Sequence, residues 1–268
     1  MTLRDLQIQS ADGTPLHVRI DAGPHADAPT VVLAHSLGCT LAMWEPQVQA
    51  LAAQFRVVRY DLRGHGRSGV PDADYTLAQM GADALAVIDA TSAGVQVHFI
   101  GLSLGGIVGM WLGIHQPQRL LRLVLANTTP HIPLRDMFSQ RMQTARTEGM
   151  AGIAAPTLDR WLGAAFKSAH PAQRDALVAT MAAMSPQGYA GCCAVLRDAD
   201  LRGDMVRIGV PTLVIAGDED PATPPALAQQ MAQVIAGAYV VSIPSAAHLS
   251  NLENPVAFNA AVLSHLLA

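Results

Sequence analysis

Charge is scarce in this chain. Of its 268 residues only 14% are Asp, Glu, Lys or Arg, the formal net charge is −4, and no block of like charges occurs. A basic stripe suited to nucleic acid or to an anionic membrane surface is therefore missing. Cysteine is scarce too. Cys39, Cys192 and Cys193 are odd in number and two are adjacent, which is poor geometry for a disulfide, so reduced core thiols in a cytoplasmic protein are expected. No Cys/His pair has zinc-ligand spacing and no glycine-rich phosphate loop is present, so neither a metal nor a nucleotide is expected. Long apolar runs are absent as well. The longest, residues 99–114, is short for a membrane span, rich in glycine and carries Ser103. The N-terminal stretch "MTLRDLQIQSADGTPLHVRI" has charges and a turn where a signal peptide needs an apolar core. Its alternation predicts a β-hairpin, and export is not expected.

Half of the residues are hydrophobic, enough for a sizeable core in one compact unit. Short β-branched runs recur at 30–35, 56–61, 95–102, 120–128, 211–218 and 238–244. Each is continuous and apolar, as strands of a parallel sheet are when both faces are covered. Helical patterns at 41–54, 76–92, 104–116, 223–236 and 254–267 lie between or after them, which predicts an α/β protein whose mostly parallel sheet is covered by helices on both faces. The alternation breaks between 131 and 205, where several short helices follow one another and no strand is convincing. This predicts a core of residues 1–130 and 206–268 with a helical cap, 131–205, inserted in it.

The stretch "VHFIGLSLGGIVGM" places a lone hydroxyl where a buried strand gives way to a buried helix. Gly101-Leu-Ser103-Leu-Gly105 is a G-x-S-x-G pattern, weak alone but informative at a strand-to-helix turn, where it holds the Ser103 hydroxyl above the sheet as a nucleophile. The bland alternative is a serine that caps the helix. A serine hydroxyl needs a base, and in this arrangement an acid and then a histidine should follow later in the chain. "PTLVIAGDEDPATPP" ends a strand in carboxylates, and "IPSAAHLSNLENP" places His248 just past another strand, on the same rim. Of ten histidines, His248 has the context of a base, whereas His65 in "YDLRGHGRS" reads as bracing a loop. Asp218, Glu219 and Asp220 are adjacent; Asp220, just before the turn into the next helix, is favoured as the acid, with Asp218 holding the turn. Asn127 cannot supply the negative charge. In "VVLAHSLGCT" the Leu37 amide can pair with that of Leu104 as an oxyanion hole, each donor worth about 2.7–4 kcal/mol of barrier.

With these residues identified, the chain resembles the α/β-hydrolase fold superfamily over nearly its whole length, through "AHSLG", "YDLRGHGRS", "GLSLGG", "PTLVIAGDEDPATPP" and "AAHLSNLENP" in order. A finer resemblance, through "RDADLR", "GYAGCCAVLRDAD" and "DRWLGAAF", is to 3-oxoadipate enol-lactonases of the protocatechuate branch of aromatic degradation. One departure is "NTTPHIP" where that family continues "NTA". The resemblance implies a serine hydrolase that opens the lactone of 3-oxoadipate enol-lactone to 3-oxoadipate without metal or organic cofactor. The substrate carries a carboxylate that a cation or donor in the cap must offset, and Arg135 and Trp161 are the candidates. The rival readings are a carboxylesterase, another lactonase or a meta-cleavage-product C–C hydrolase of the same fold, and a ligand-binding protein without turnover.

Overall fold

The computed structural model describes residues 3–268. Eight strands, β1 (Leu3–Gln9), β2 (Pro15–Asp21), β3 (Thr30–Ala34), β4 (Arg56–Tyr60), β5 (Val97–Leu102), β6 (Leu120–Ala126), β7 (Thr212–Gly217) and β8 (Tyr239–Ile243), form one sheet in the order β1-β2-β4-β3-β5-β6-β7-β8. The N-terminal hairpin joins antiparallel, with Leu6 opposite Val18 and Val18 opposite Tyr60. From β4 onward every pairing is parallel. Strands β3, β5 and β7 are buried at every residue, which is why their sequences are unbroken apolar runs. At the edges, β1 and β8 are largely open, and their side chains alternate more.

Helices α1 (Glu45–Ala52), α2 (Leu77–Ser92) and α3 (Leu104–His115) occupy the crossovers of the first half. The predicted helix at 41–54 is shorter: a single 3-10 turn at Leu41–Trp44 precedes α1, because Pro46 starts a helix but cannot continue one. Thr76 and Gln79 close a capping box on α2, satisfying two amides the first turn would leave bare. Between β6 and β7 come α4 (Arg135–Glu148), α5 (Ala151–Trp161), α6 (Ala164–Ala169), α7 (Pro171–Ala182) and α8 (Pro186–Asp198). Helix α4 packs along α8, and α5 against α7. The chain leaves and re-enters the sheet through one neck, where His131 pairs with Asp200 and the Leu201 amide donates to Pro130 O at 3.0 Å. Helices α9 (Pro225–Val234), α10 (Ser250–Glu253) and α11 (Pro255–Leu267) complete the fold; Pro255 divides the last two. Among the described residues no helix is long and apolar enough to cross a membrane.

Several histidines are buried as neutral rings. His98 in β5 lies edge-on to Phe55, with ring centroids 5.2 Å apart, and burial together with Arg122 and His265 pushes it down to about 4. Burial likewise pushes His65 down to about 3. In the unfolded chain both take a proton near 6.5, so their contribution is complete above that pH and is lost as pH falls towards 4 and 3. At pH 5 each costs about 2 kcal/mol of stability. Glu253, raised by burial, opposes this only near its own range. The melting temperature should therefore drop on the order of ten degrees between pH 7.5 and pH 5. Calorimetry showing an unchanged Tm across that interval would contradict the neutral burial of these rings.

Candidate active site

Ser103 sits between β5 and α3 with φ +56° and ψ −113°, a left-handed conformation that costs a non-glycine residue energy. Its neighbours over-determine it. The Ser103 amide donates to Ala126 O at 2.9 Å, and its carbonyl accepts from Thr128 Oγ1 at 2.8 Å. The turn is also sterically closed: a Cβ at Gly101 would stand 2.1 Å from Gly105 O, and one at Gly105 2.2 Å from Ala34 O. Both glycines are thus required by close approach of the backbone.

His248, buried in the loop after β8, places Nε2 3.0 Å from Ser103 Oγ and Nδ1 2.9 Å from Asp220 Oδ2. Asp220 follows β7 and is buried; its Oδ1 accepts the amides of Ala222 (2.8 Å) and Thr223 (3.1 Å). Its Oδ2 also accepts the Thr223 hydroxyl at 2.6 Å and Asn127 Nδ2 at 3.0 Å. Burial alone would raise this carboxyl, but the attraction of His248 and the hydrogen bonds from His248, Thr223 and Asn127 outweigh it and hold Asp220 well below the usual carboxylate range. Asn127, itself at φ +44°, braces the pair, donating also to Ala247 O at 3.0 Å while Ser250 Oγ donates to its Oδ1 at 2.5 Å. Asp218 is exposed and its carboxylate accepts only a 3.4 Å contact from the Ala246 amide, and Glu219 is exposed too. Of the three adjacent carboxylates, Asp220 is the one brought to His248.

Ser103 and His248 open into a cavity of about 130 Å³ walled by Phe138, Trp161 and Leu196 from the inserted helices and by Leu37 from the loop after β3. It is far smaller than pockets that take drug-sized ligands, about 300–1,000 Å³. A larger open groove of about 460 Å³, lined by Glu45, Leu177 and Thr180, contains no nucleophile–base pair, so size alone does not mark the site. Among the described residues the amides of Leu37 and Leu104 donate to no other group. The Trp161 ring lies 5.1 Å from that of His248, and Trp161 O accepts the His248 amide at 2.9 Å.

Arg135 is not brought to the cavity. It is exposed at the start of α4, paired with Asp198 Oδ1 at 2.9 Å over a separate surface depression. Two other arginines line the cavity, Arg141 and Arg160. Arg141 is six residues along the same helix, about 240° further round at 100° per residue, and donates to Tyr189 Oη (3.1 Å) and Thr157 Oγ1 (3.0 Å). Arg160 keeps an outer surface open to solvent, while partial burial and the neighbouring Arg141 lower its pKa; its guanidinium stays charged. Neither has a carboxylate within ion-pair distance among the described residues. Arg160 directly precedes Trp161 in "DRWLGAAF", so the sequence carried a signal for it.

The α/β-hydrolase fold family matches residues 29–255. The chain is 38% identical over 237 residues to 3-oxoadipate enol-lactonase 2 of Acinetobacter baylyi, covering 88% of each chain. It superposes on the crystal structure of the enol-lactonase from Burkholderia xenovorans with a TM-score of 0.94 at 40% identity, covering 98% of this chain and 100% of that one. A hydrolase from Pseudomonas aeruginosa gives a TM-score of 0.94 at 43% identity, with 99% of each chain covered. Sequence, topology and the Ser103–His248–Asp220 geometry agree, and the chain belongs to the α/β-hydrolase family as a hydrolytic enzyme.

Proposed function

We propose that this protein is a serine hydrolase that opens 3-oxoadipate enol-lactone to 3-oxoadipate in cytoplasmic degradation of aromatic compounds through the protocatechuate branch. The observation that carries the reading is a Ser–His–Asp set beneath a small cavity that also holds two arginines without carboxylate partners. Ser103 attacks the lactone carbonyl as His248 takes its proton, and Asp220 orients and stabilises the imidazolium. The Leu37 and Leu104 amides receive the oxyanion. The ring oxygen leaves as an enolate, still tethered to the acyl-enzyme, and takes up a proton as the ketone forms. Water activated by His248 then releases the new carboxylate. No metal or organic cofactor enters any step.

Residues 131–205 act as the cap over this site, supplying the specificity. An unpaired carboxylate is too costly to bury, and Arg160, with Arg141 beside it, offers the charge that offsets it. Trp161 supplies the apolar wall beside His248. The free, buried Cys39, Cys192 and Cys193 suit a reducing compartment. The decisive measurement is a spectrophotometric assay of purified protein on authentic enol-lactone beside a panel of neutral esters and other lactones. Preference for the enol-lactone is expected. Arg160→Ala should cost kcat/KM on that substrate about 1.5–3 kcal/mol, the scale of a charged hydrogen bond, and leave p-nitrophenyl acetate nearly untouched. An equal loss on both substrates would remove the carboxylate assignment, and turnover confined to neutral esters would replace the lactone by an ester.

A further inference from the structure

Two loops meet beneath the Leu37 amide. One, residues 35–41, leaves β3; the other, residues 61–65, leaves β4, its parallel neighbour in the sheet. Three hydrogen bonds cross between them: Leu41 N–H to Asp61 Oδ1 at 2.8 Å, Leu62 N–H to His35 Nε2 at 3.0 Å, and Gly38 N–H to His65 Nε2 at 2.9 Å. The two imidazoles therefore reciprocate, each standing on its own loop and accepting a main-chain amide of the other. Their second nitrogens fix the tautomers. His35 Nδ1 lies 2.7 Å from Ser36 O and His65 Nδ1 3.2 Å from Arg63 O, and a carbonyl can only accept. Each Nδ1 thus carries the proton, each Nε2 is bare, and both rings are neutral. They are buried, with centroids 5.1 Å apart.

The Gly38 end is closed from above as well. Gly38 has φ +73°, and a Cβ there would meet Met181 Cε of α7 at 2.3 Å. The Gly105 amide donates to His35 O at 3.2 Å, so the first turn of α3 is registered against the same loop. Leu37 stands between anchored neighbours, and nothing but its direction is left to set.

We infer that His35 and His65 form a reciprocal clasp that aims the Leu37 amide at the oxyanion site, with His65 a positioning residue for hydrolysis. The inference rests on the proposed oxyanion role of Leu37. Burial and the adjacent His35 outweigh the attraction of Asp61 and push His65 down to about 3, so the clasp stays closed at neutral pH. Arg63 and Cys192 are the other titratable residues beside it, the latter with Sγ 3.7 Å from Nδ1. Protonation would set an N–H against the Gly38 N–H.

His65→Leu keeps apolar bulk but removes the acceptor, whereas His65→Gln can return an oxygen where Nε2 stands. In His65→Leu, kcat on p-nitrophenyl acetate should fall about 10–100-fold, the scale of a misplaced reacting geometry, with KM nearly unchanged. His65→Gln should recover most of that loss. Affinity for butylboronic acid, which forms a tetrahedral adduct on Ser103, should weaken in step with kcat, while inhibition by adipate, which does not react, should hold. A purely structural histidine would not separate those two inhibitors. A folded His65→Leu with native kcat and native boronate affinity overturns the clasp. Should the leucine variant not fold, His65→Asn serves, because its side chain reaches the Nδ1 position and not Nε2; equal kcat for Asn and Gln would then overturn it. Leu37→Pro removes the amide proton itself. If that variant keeps native kcat, the oxyanion reading falls and the inference with it; if it loses activity while His65→Leu does not, only the clasp falls.

Discussion

Ser103→Ala should fold with a near-native melting temperature and lose roughly 10⁵–10⁶-fold in kcat on enol-lactone, the scale seen when the nucleophile of a serine triad is removed. The expectation of a native fold follows from the contacts. Everything that holds the elbow engages the main chain of Ser103 and its glycines: Ser103 N–H donates to Ala126 O, the Thr128 hydroxyl donates to Ser103 O, and Gly101 and Gly105 closely approach main-chain oxygens. Alanine keeps each of these and the same unfavourable φ. What it loses is the single oxygen that faces His248 Nε2 at 3.0 Å. Residual turnover should equal what binding and the proposed oxyanion amides of Leu37 and Leu104 supply without a covalent step. Circular dichroism, a melting curve and kcat on one preparation are sufficient. Near-native turnover by a well-folded Ser103→Ala protein would remove Ser103 as nucleophile.

The parts of the site that were legible in the sequence are those fixed by chain direction. In a parallel sheet every strand delivers its C-terminal end to the same rim, so a serine, a carboxylate and a histidine each just past a strand must share an edge. Ser103, Asp220 and His248 follow that rule, and the distances between them are hydrogen-bond distances. The central strands are legible for a related reason, since strands buried on both faces are continuous apolar runs. The helices between β6 and β7 obey no such rule. Which face of α4 looks inward depends on how it packs on α8, and no period within "LRDMFSQRMQ" states that angle. Proximity to the strand end points to Arg135, whereas in the fold Asp198 on α8 neutralises it at the surface and Arg141 turns inward. Asn127 illustrates a subtler miss. An amide carries no negative charge, yet it holds the Asp220 carboxylate in place, a contact between residues 93 positions apart that only the folded chain reveals.

Asp220→Asn should lower kcat by about 10⁴-fold, the scale measured when the acid of a serine triad becomes an amide, whereas Asp218→Asn should change it less than about threefold, as exposed substitutions without buried partners do. The contrast follows from the donors around each carboxylate. Asp220 accepts the amides of Ala222 and Thr223 on Oδ1, and the Thr223 hydroxyl, the Asn127 amide and the His248 Nδ1 proton on Oδ2. An asparagine must turn its NH₂ towards one set or the other. Facing Oδ1's partners, it opposes two main-chain N–H groups; facing Oδ2's, it opposes the Asn127 amide and the ring proton of His248. In the second orientation His248 is driven to the wrong tautomer, with its proton on Nε2, where it can no longer accept from Ser103. In the first, the ring keeps its tautomer but the imidazolium formed in the reaction has lost its counter-charge, and buried donors are left opposed. The Asp218 carboxylate has no such surroundings, since the one donor that reaches it is the Ala246 amide at 3.4 Å on an exposed turn. Measuring kcat for both variants against enol-lactone, with melting curves to separate turnover from folding, decides between the two carboxylates. Equal losses, or a larger loss at Asp218, would move the acid away from Asp220, and the hydrogen-bond pattern around His248 would then need another explanation.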